Sequence, residues 1–138
     1  MKKILIIEDE EYLADMYKMK FEREGYAVVV AEDGLEGIEA AKKENPDLVL
    51  LDLVLPGMDG YEILHKLKND EKTKNIKVYI LSNLGQNGEV NHGFRDGADG
   101  YIIKSNMTPM EVVKEVEKIF DAKMTDVKKA KPSVSVAK

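Results

Sequence analysis

Five short apolar runs alternate along the chain with stretches of helical periodicity, and this alternation restricts the fold more than any other feature. The runs are continuous, which is typical of strands buried on both faces of a parallel sheet. They span residues 4–7, 26–30, 48–53, 78–81 and 101–103. Between the first two runs, Leu13, Tyr17 and Phe21 share one helical face. The repeated pattern indicates βαβ units, so we predict an α/β fold with a doubly wound, five-stranded parallel sheet and five helices.

Two of the predicted helices have contrasting signals. Thr108 and Glu111 form a Thr-x-x-Glu capping box with Pro109 at the first helical position, so the last helix has a well-marked start. The fourth helix falls within residues 85–97, which contain four glycines. An interior glycine costs about 0.5–1 kcal/mol relative to alanine, so we expect the fourth helix to be labile.

Length and composition favour one cytoplasmic domain. A chain of 138 residues can build a single substantial core. It contains no cysteine, which excludes a disulfide framework, a thiolate metal site and a cysteine nucleophile, and which suits a reducing compartment. No stretch approaches the roughly 20 apolar residues that a membrane span needs, so no membrane association is expected.

Charge divides the chain into an acidic body and a basic end. Residues 123–138 contain five lysines against one aspartate, so residues 1–122 are more acidic than the net charge of −5 suggests. Because phosphate binding needs clustered lysine and arginine, we expect no direct nucleic-acid partner. Residues 123–138 also lose the apolar periodicity, which predicts a flexible tail after a domain of residues 1–122; a lysine-mediated contact is the alternative.

Polar residues follow four of the predicted strands. Glu8 and Asp9 end the first strand, Asp52 the third, Ser82 the fourth and Lys104 the fifth. The carboxyl ends of parallel strands meet at one edge of the sheet, where such folds bind ligands. Three carboxylates there need a cation, and oxygen ligands without histidine or cysteine favour Mg²⁺. With Mg²⁺, a lysine and a serine, the site suits a phosphoryl group with Asp52 as its acceptor.

These motifs together resemble those of response-regulator receiver domains of two-component signalling. The resemblance rests on IIEDEE (6–11), LLDLVLPGMDGYE (50–62), ILSN (80–83) and GADGYIIK (97–104), in this order and each at a predicted strand end. It covers residues 1–122 and implies the flavodoxin-like strand order 2-1-3-4-5. The chain is most similar in organisation to stand-alone, chemotaxis-type regulators.

The resemblance implies a role for each acidic residue. Asp52 would accept a phosphoryl group from a sensor histidine kinase or a histidine phosphotransfer protein. Asp9 would bind Mg²⁺ directly and Glu8 through water, while Asp52 and the backbone carbonyl of Val54 would be further ligands.

The resemblance also implies a switch. Ser82 and Lys104 would hold the acyl phosphate, and Tyr101 would change rotamer when it forms. The fourth predicted helix, the fifth strand and the last helix would then present a changed face to a downstream protein that the sequence does not identify. The protein would be a monomer or a transient, phosphorylation-linked dimer. Tyr101 also admits a simpler interpretation as an aromatic residue at the edge of the core.

The chain departs from the family pattern at several positions. Glu8 stands where an aspartate is common, which changes the metal geometry by one methylene. Ser105 replaces the proline that usually follows the lysine, and a cis bond before a non-proline residue costs about 2.5–4 kcal/mol, so we predict a trans Lys104–Ser105 peptide. Val54 and Leu84 are apolar where the family often has polar side chains, which predicts slow hydrolysis of the phosphoryl group.

Three other functions are alternatives to a phosphorylated receiver. A haloacid dehalogenase-type phosphatase needs a second aspartate two residues after the nucleophile, where this chain has Val54. A flavodoxin-like cofactor protein binds phosphate after the first strand, where the acids of EDEEYL (8–13) would repel it. A degenerate receiver that binds a partner without phosphorylation stays open, and a small phosphodonor distinguishes it.

Overall fold

The computed structural model describes residues 2–53, 55, 57, 59–82, 97–103, 107–125 and 133–135. A parallel sheet with the strand order β2-β1-β3-β4-β5-β6 lies at its centre. The strands are β1 Lys3–Ile7, β2 Ala27–Ala31, β3 Leu48–Leu51, β4 Lys77–Ser82, β5 Gly100–Ile103 and β6 Ser133–Ser135. The order 2-1-3-4-5 predicted for the first five strands is confirmed, and β6 extends the sheet beyond β5.

Four helices occur among the described residues. They are α1 Glu11–Arg23, α2 Gly34–Glu44, α3 Gly60–Lys68 and α4 Pro109–Thr125. The fourth predicted helix lies outside the described residues except for Gly97, so α4 corresponds to the last of the five predicted helices. None of the described helices is both long enough and apolar enough to cross a membrane.

Side-chain caps fix where α3 and α4 begin. Asp59 Oδ1 accepts a hydrogen bond from the Tyr61 N–H at 2.8 Å, before the first turn of α3. At α4, Thr108 Oγ1 accepts from the Glu111 N–H at 3.2 Å, and Glu111 Oε1 accepts from the Thr108 N–H at 2.8 Å. The predicted capping box is therefore confirmed, and it satisfies backbone donors that the helix itself leaves unpaired.

The core consists of two apolar layers, one on each face of the sheet. Leu5 and Ile7 of β1 pack on the side of α2 and α3, whereas Ile4 and Ile6 pack on the side of α1 and α4. All four side chains are at most 1% exposed. Complete burial of such a side chain stabilises the fold by about 1.5–3 kcal/mol. Both layers hold the sheet in place and thereby position its carboxyl edge.

Regular backbone structure continues into the predicted C-terminal tail. Helix α4 runs to Thr125, past the predicted boundary at residue 122. Strand β6 lies parallel to β5, with Val134 opposite Tyr101. The remaining tail residues lie outside the described part of the chain, so the division at residue 122 and the flexibility of 123–138 stay predictions.

Candidate functional site

Three carboxylates converge at the carboxyl edge of the sheet. Glu8 and Asp9 follow β1, and Asp52 follows β3, which lies next to β1. One carboxylate oxygen from each of the three lies within 4.8 Å of the others. Glu8 and Asp52 are buried, with 3% and 7% of their surfaces exposed, while Asp9 is exposed. The predicted acidic site is therefore present, with one acid accessible from solvent and two set into the protein.

Backbone hydrogen bonds position the two buried acids. The Asp52 N–H donates to the Ile7 carbonyl at 3.1 Å, and the Glu8 N–H donates to the Ala31 carbonyl at 3.0 Å. Both bonds continue the parallel ladders one residue beyond the strands, so Glu8 and Asp52 leave the sheet side by side. The Glu8 carboxylate also accepts from the Glu10 N–H at 3.2 Å, which fixes its side chain against the start of α1.

The donor set fits a magnesium ion. Mutually close carboxylates repel each other unless a cation neutralises them, and Mg²⁺ prefers oxygen ligands. Two oxygens bound directly to one Mg²⁺ are at most about 4.2 Å apart, so a spread of up to 4.8 Å accommodates a set in which one acid binds through water. Glutamate is one methylene longer than aspartate, so Glu8 suits the position that reaches Mg²⁺ through a water molecule.

The other predicted site residues are described to different extents. Tyr101 lies on β5 and is fully buried, opposite Ile80 of β4. Ser82 is the last residue of β4. The Ser82 side chain lies outside the described residues, as do Lys104 and Val54. Their predicted contacts with a phosphoryl group, and the predicted trans peptide between residues 104 and 105, therefore stay predictions.

Gly60 is not among the sequence-predicted site residues, although the structure places it against the backbone of Asp52. A Cβ at position 60 would lie 2.9 Å from the Asp52 carbonyl oxygen. The signal available in the sequence is the Asp-Gly pair at residues 59 and 60, which also marks a helix start. Its contact with the site depends on how α3 packs.

Comparison with known proteins gives the family. Residues 4–117 match the model of the response regulator receiver domain, which covers most of the chain. The chain therefore belongs to the response regulator receiver domain family of two-component signalling. The predicted family and fold class are confirmed, and a magnesium-binding acidic pocket is typical of the family.

Similar proteins include transcriptional regulators. The chain is 41% identical over 104 residues to the DNA-binding dual master transcriptional regulator RpaA of Synechocystis sp., with 75% of this chain and 43% of that protein covered. It is 37% identical to the transcriptional regulatory protein ResD of Bacillus subtilis, with 86% of this chain and 48% of that protein covered. The chain thus spans less than half the length of each of these two relatives.

Similar solved structures are receiver domains. A CheY-like response regulator receiver domain protein from Methanospirillum hungatei has a TM-score of 0.81 at 28% identity, with 91% of this chain and 98% of that chain covered. A putative response regulator from Chloroflexus aurantiacus has a TM-score of 0.78 at 30% identity, with 87% and 98% covered. Both likenesses extend over nearly all of the matched chain, so the similarity concerns the whole receiver fold.

Proposed function

We propose that this chain is a phosphoacceptor switch in which Asp52 receives a phosphoryl group from the phosphohistidine of a sensor histidine kinase or a histidine phosphotransfer protein. The observation that carries the proposal is the convergence of Glu8, Asp9 and Asp52, with oxygens within 4.8 Å of one another at the carboxyl edge of the sheet. Receiver domains as a family receive phosphoryl groups from histidine kinases, which supports the same donor here.

The transfer is a displacement at phosphorus. An Asp52 carboxylate oxygen forms the new O–P bond while the N–P bond of the phosphohistidine breaks, and a donor ring whose other nitrogen carries a proton leaves as neutral imidazole. Asp52 suits this role because the ladder bond from its N–H to Ile7 holds its backbone still.

The proposed metal site consists of Asp52 and residues close to it. Asp9 would bind Mg²⁺ directly and Glu8 through water, and Asp52 itself and the Val54 carbonyl would complete the protein ligands. When bound, Mg²⁺ neutralises charge on the carboxylates and on the phosphoryl oxygens. Lys104 and Ser82 are assigned to hold the product acyl phosphate through a charge and a hydroxyl hydrogen bond.

The output of the switch is a changed protein surface. Ser82 moves towards the phosphoryl group and Tyr101 turns, which alters the face formed by the fourth predicted helix, β5 and α4. One charge-assisted hydrogen bond contributes about 1.5–3 kcal/mol, whereas a shift from 1:99 to 99:1 needs about 5.5 kcal/mol. Binding of the downstream partner therefore completes the shift. That partner is a protein, the switch acts in the cytoplasm, and the apolar Val54 and Leu84 make the phosphoryl group long-lived.

Intact-mass measurement tests the proposal. The wild-type chain, incubated with acetyl phosphate or phosphoramidate and Mg²⁺, is expected to gain one acid-labile phosphoryl group, and Asp52→Asn is expected to gain none. Chelation of Mg²⁺ should prevent the gain in the wild type. An equal gain in Asp52→Asn would show that another residue is the acceptor. No gain in a wild type that binds Mg²⁺ would favour the degenerate receiver, which binds its partner without phosphorylation.

A further inference from the structure

Helix α3 begins unusually close to the chain segment that carries the phosphoacceptor. A Cβ at Gly60 would lie 2.4 Å from Leu53 Cα, 2.8 Å from the Leu53 carbonyl oxygen and 2.9 Å from the Asp52 carbonyl oxygen. Real Cβ atoms essentially never approach heavy atoms this closely. All three neighbours are backbone atoms, so no side-chain rotation relieves the contact.

The close approach is held by a hydrogen bond. The Gly60 N–H donates to the Leu53 carbonyl at 3.1 Å and ties the first residue of α3 to the residue after Asp52. On the helix side, the Ile63 N–H donates to the Asp59 carbonyl at 3.1 Å, and Asp59 also caps the Tyr61 N–H. The start of α3 is therefore held by one hydrogen bond to Leu53 and by others within its own first turn.

Space rather than backbone conformation requires glycine at this position. The described glycines with positive φ are Gly25, Gly57 and Gly97, and Gly60 does not belong to them. Alanine is ordinarily the better residue in a helix. If Gly60→Ala lowers stability or Mg²⁺ affinity, the loss must therefore come from the contact with the Asp52–Leu53 backbone.

Other glycines provide the contrast. At Gly100, a Cβ would meet the ring of Tyr79 at 2.1 Å, at the amino end of β5 and on the opposite edge of the sheet from the acids. At Gly57, φ is +79° and a Cβ would meet no atom within 4 Å. An added Cβ is therefore crowded at Gly100, far from the acidic site. At Gly57 it meets no atom, but the positive φ strains any residue with a side chain.

We propose that Gly60 is a positioning residue for the phosphoacceptor. It lets α3 dock on the backbone of residues 52 and 53, which keeps the Asp52 carboxylate beside Glu8 and Asp9. A Cβ 2.4 Å from Leu53 Cα forces this backbone to shift, and because Mg²⁺ demands near-ideal octahedral geometry, the shift weakens metal binding before it unfolds the protein. The phosphorylation part of this inference rests on the proposed function, whereas the metal-binding part does not.

The test compares Gly60→Ala with Gly100→Ala in the full chain. Mg²⁺ affinity is measured by isothermal titration calorimetry, stability by urea denaturation, and phosphorylation by intact mass at saturating Mg²⁺. We expect Gly60→Ala to lower Mg²⁺ affinity about tenfold, within the range seen when a residue supporting a metal ligand is changed, and to slow phosphorylation. Gly100→Ala should lose stability but keep wild-type Mg²⁺ affinity within about twofold.

Two controls keep the result interpretable. Gly57→Ala tests whether strain in the loop alone disturbs the metal site, and we expect it to bind Mg²⁺ more tightly than Gly60→Ala does. If Gly60→Ala is not folded in buffer, all variants are compared in trimethylamine N-oxide, which favours the compact state.

The outcomes separate this inference from the proposed function. Wild-type Mg²⁺ affinity in folded Gly60→Ala, or an equal loss in Gly100→Ala, would overturn the positioning role. A wild-type chain that binds Mg²⁺ but takes up no phosphoryl group would overturn the proposed function, and the calorimetric comparison of Gly60→Ala would still decide the positioning role.

Discussion

Carboxylates have different neighbours at the two edges of the sheet. At the amino edge, Asp99 Oδ2 accepts hydrogen bonds from Lys68 Nζ at 2.7 Å and from the Val78 N–H at 2.8 Å. The hydrogen bond from Lys3, followed by its charge, lowers the pKa of the Glu44 carboxyl. Asp99 and Glu44 are thus each paired with a lysine from the same chain, and each pair connects a helix end to a strand start.

At the carboxyl edge, the close neighbours of an acid include other acids. Glu8, Asp9 and Asp52 bring oxygens within 4.8 Å of one another, and two of the three side chains are buried. Such an arrangement opposes folding unless a cation joins it. Oppositely charged pairs therefore indicate structural roles in this protein, and buried like charges indicate the functional site.

Burial and place in the fold matter as much as charge. Glu24, Glu117 and Asp121 also form a like-charged group, beside Tyr26 and at the ends of α1 and α4. Burial is the main cause that raises the pKa of Tyr26, and the charges of these acids raise it further. Burial, followed by the nearby Glu24, raises the pKa of Glu117. Glu24 and Asp121 are exposed, so this group is spread over the surface and lies at the amino edge, away from the binding edge.

The largest expected effect is on the metal site. Asp9→Asn should weaken Mg²⁺ binding about 100-fold and Glu8→Gln about 10-fold, because in the proposed site the first change removes a direct ligand and the second a water-mediated contact. Isothermal titration calorimetry measures both variants. Asp121→Asn, which makes the same charge change at the opposite edge, should bind like the wild type. A greater loss in Glu8→Gln than in Asp9→Asn would reverse the assignment of the two ligands.

A smaller effect is expected at the amino edge. Asp99→Ala should lower the free energy of unfolding by about 1.5–3 kcal/mol, since it leaves the partly buried Lys68 ammonium and the Val78 N–H without this acceptor. Mg²⁺ affinity should stay within about twofold of the wild type. Glu71→Ala is the control, because the Lys74 and Glu71 side chains of its pair are 44% and 88% exposed and the pair contributes at most about 1 kcal/mol. Equal stability of the two variants in urea would show that the amino-edge pair is not structural.

The smallest effect concerns the like-charged group at the amino edge. The pKa of Glu117 is raised on folding, so its contribution to stability is fully present below the unfolded pKa and is lost as the pH rises through the folded pKa. Glu117→Gln should therefore stabilise the protein by about 0.5 kcal/mol or less at pH 7, and the gain should disappear near pH 4. Urea denaturation at both pH values measures the difference. A gain that is larger at pH 4 than at pH 7 would contradict the sign of the shift.

Much of the fold could be predicted because its signals are local. Continuous apolar runs predict buried strands, and four of the predicted helices match described helices. The capping box at Thr108 and Glu111 is a contact between residues three apart, so the sequence contains both partners within one turn. The acids that follow β1 and β3 could be assigned to one edge because parallel strands have their carboxyl ends together.

Longer-range features could not be predicted from the same patterns. Lys68 and Asp99 are 31 residues apart, and nothing in their local sequence indicates that they pair. Gly60 has the local signature of a helix start, whereas its contact with the backbone of Asp52 depends on the docking of α3 against the sheet. Both contacts follow from strand register and helix packing, which the hydrophobic period alone does not specify.

The sequence by itself determined the alternation of strands and helices, the presence of two apolar layers and the set of acids at one edge, because each depends on side-chain periodicity and parallel strand direction. Only the tertiary structure decided that three acidic oxygens lie within 4.8 Å, that Glu8 and Asp52 are buried while Asp9 is exposed, and that Gly60 lies against the backbone of Asp52. The physical reason is that distance and burial depend on how complete elements pack, and packing joins residues that are far apart along the chain.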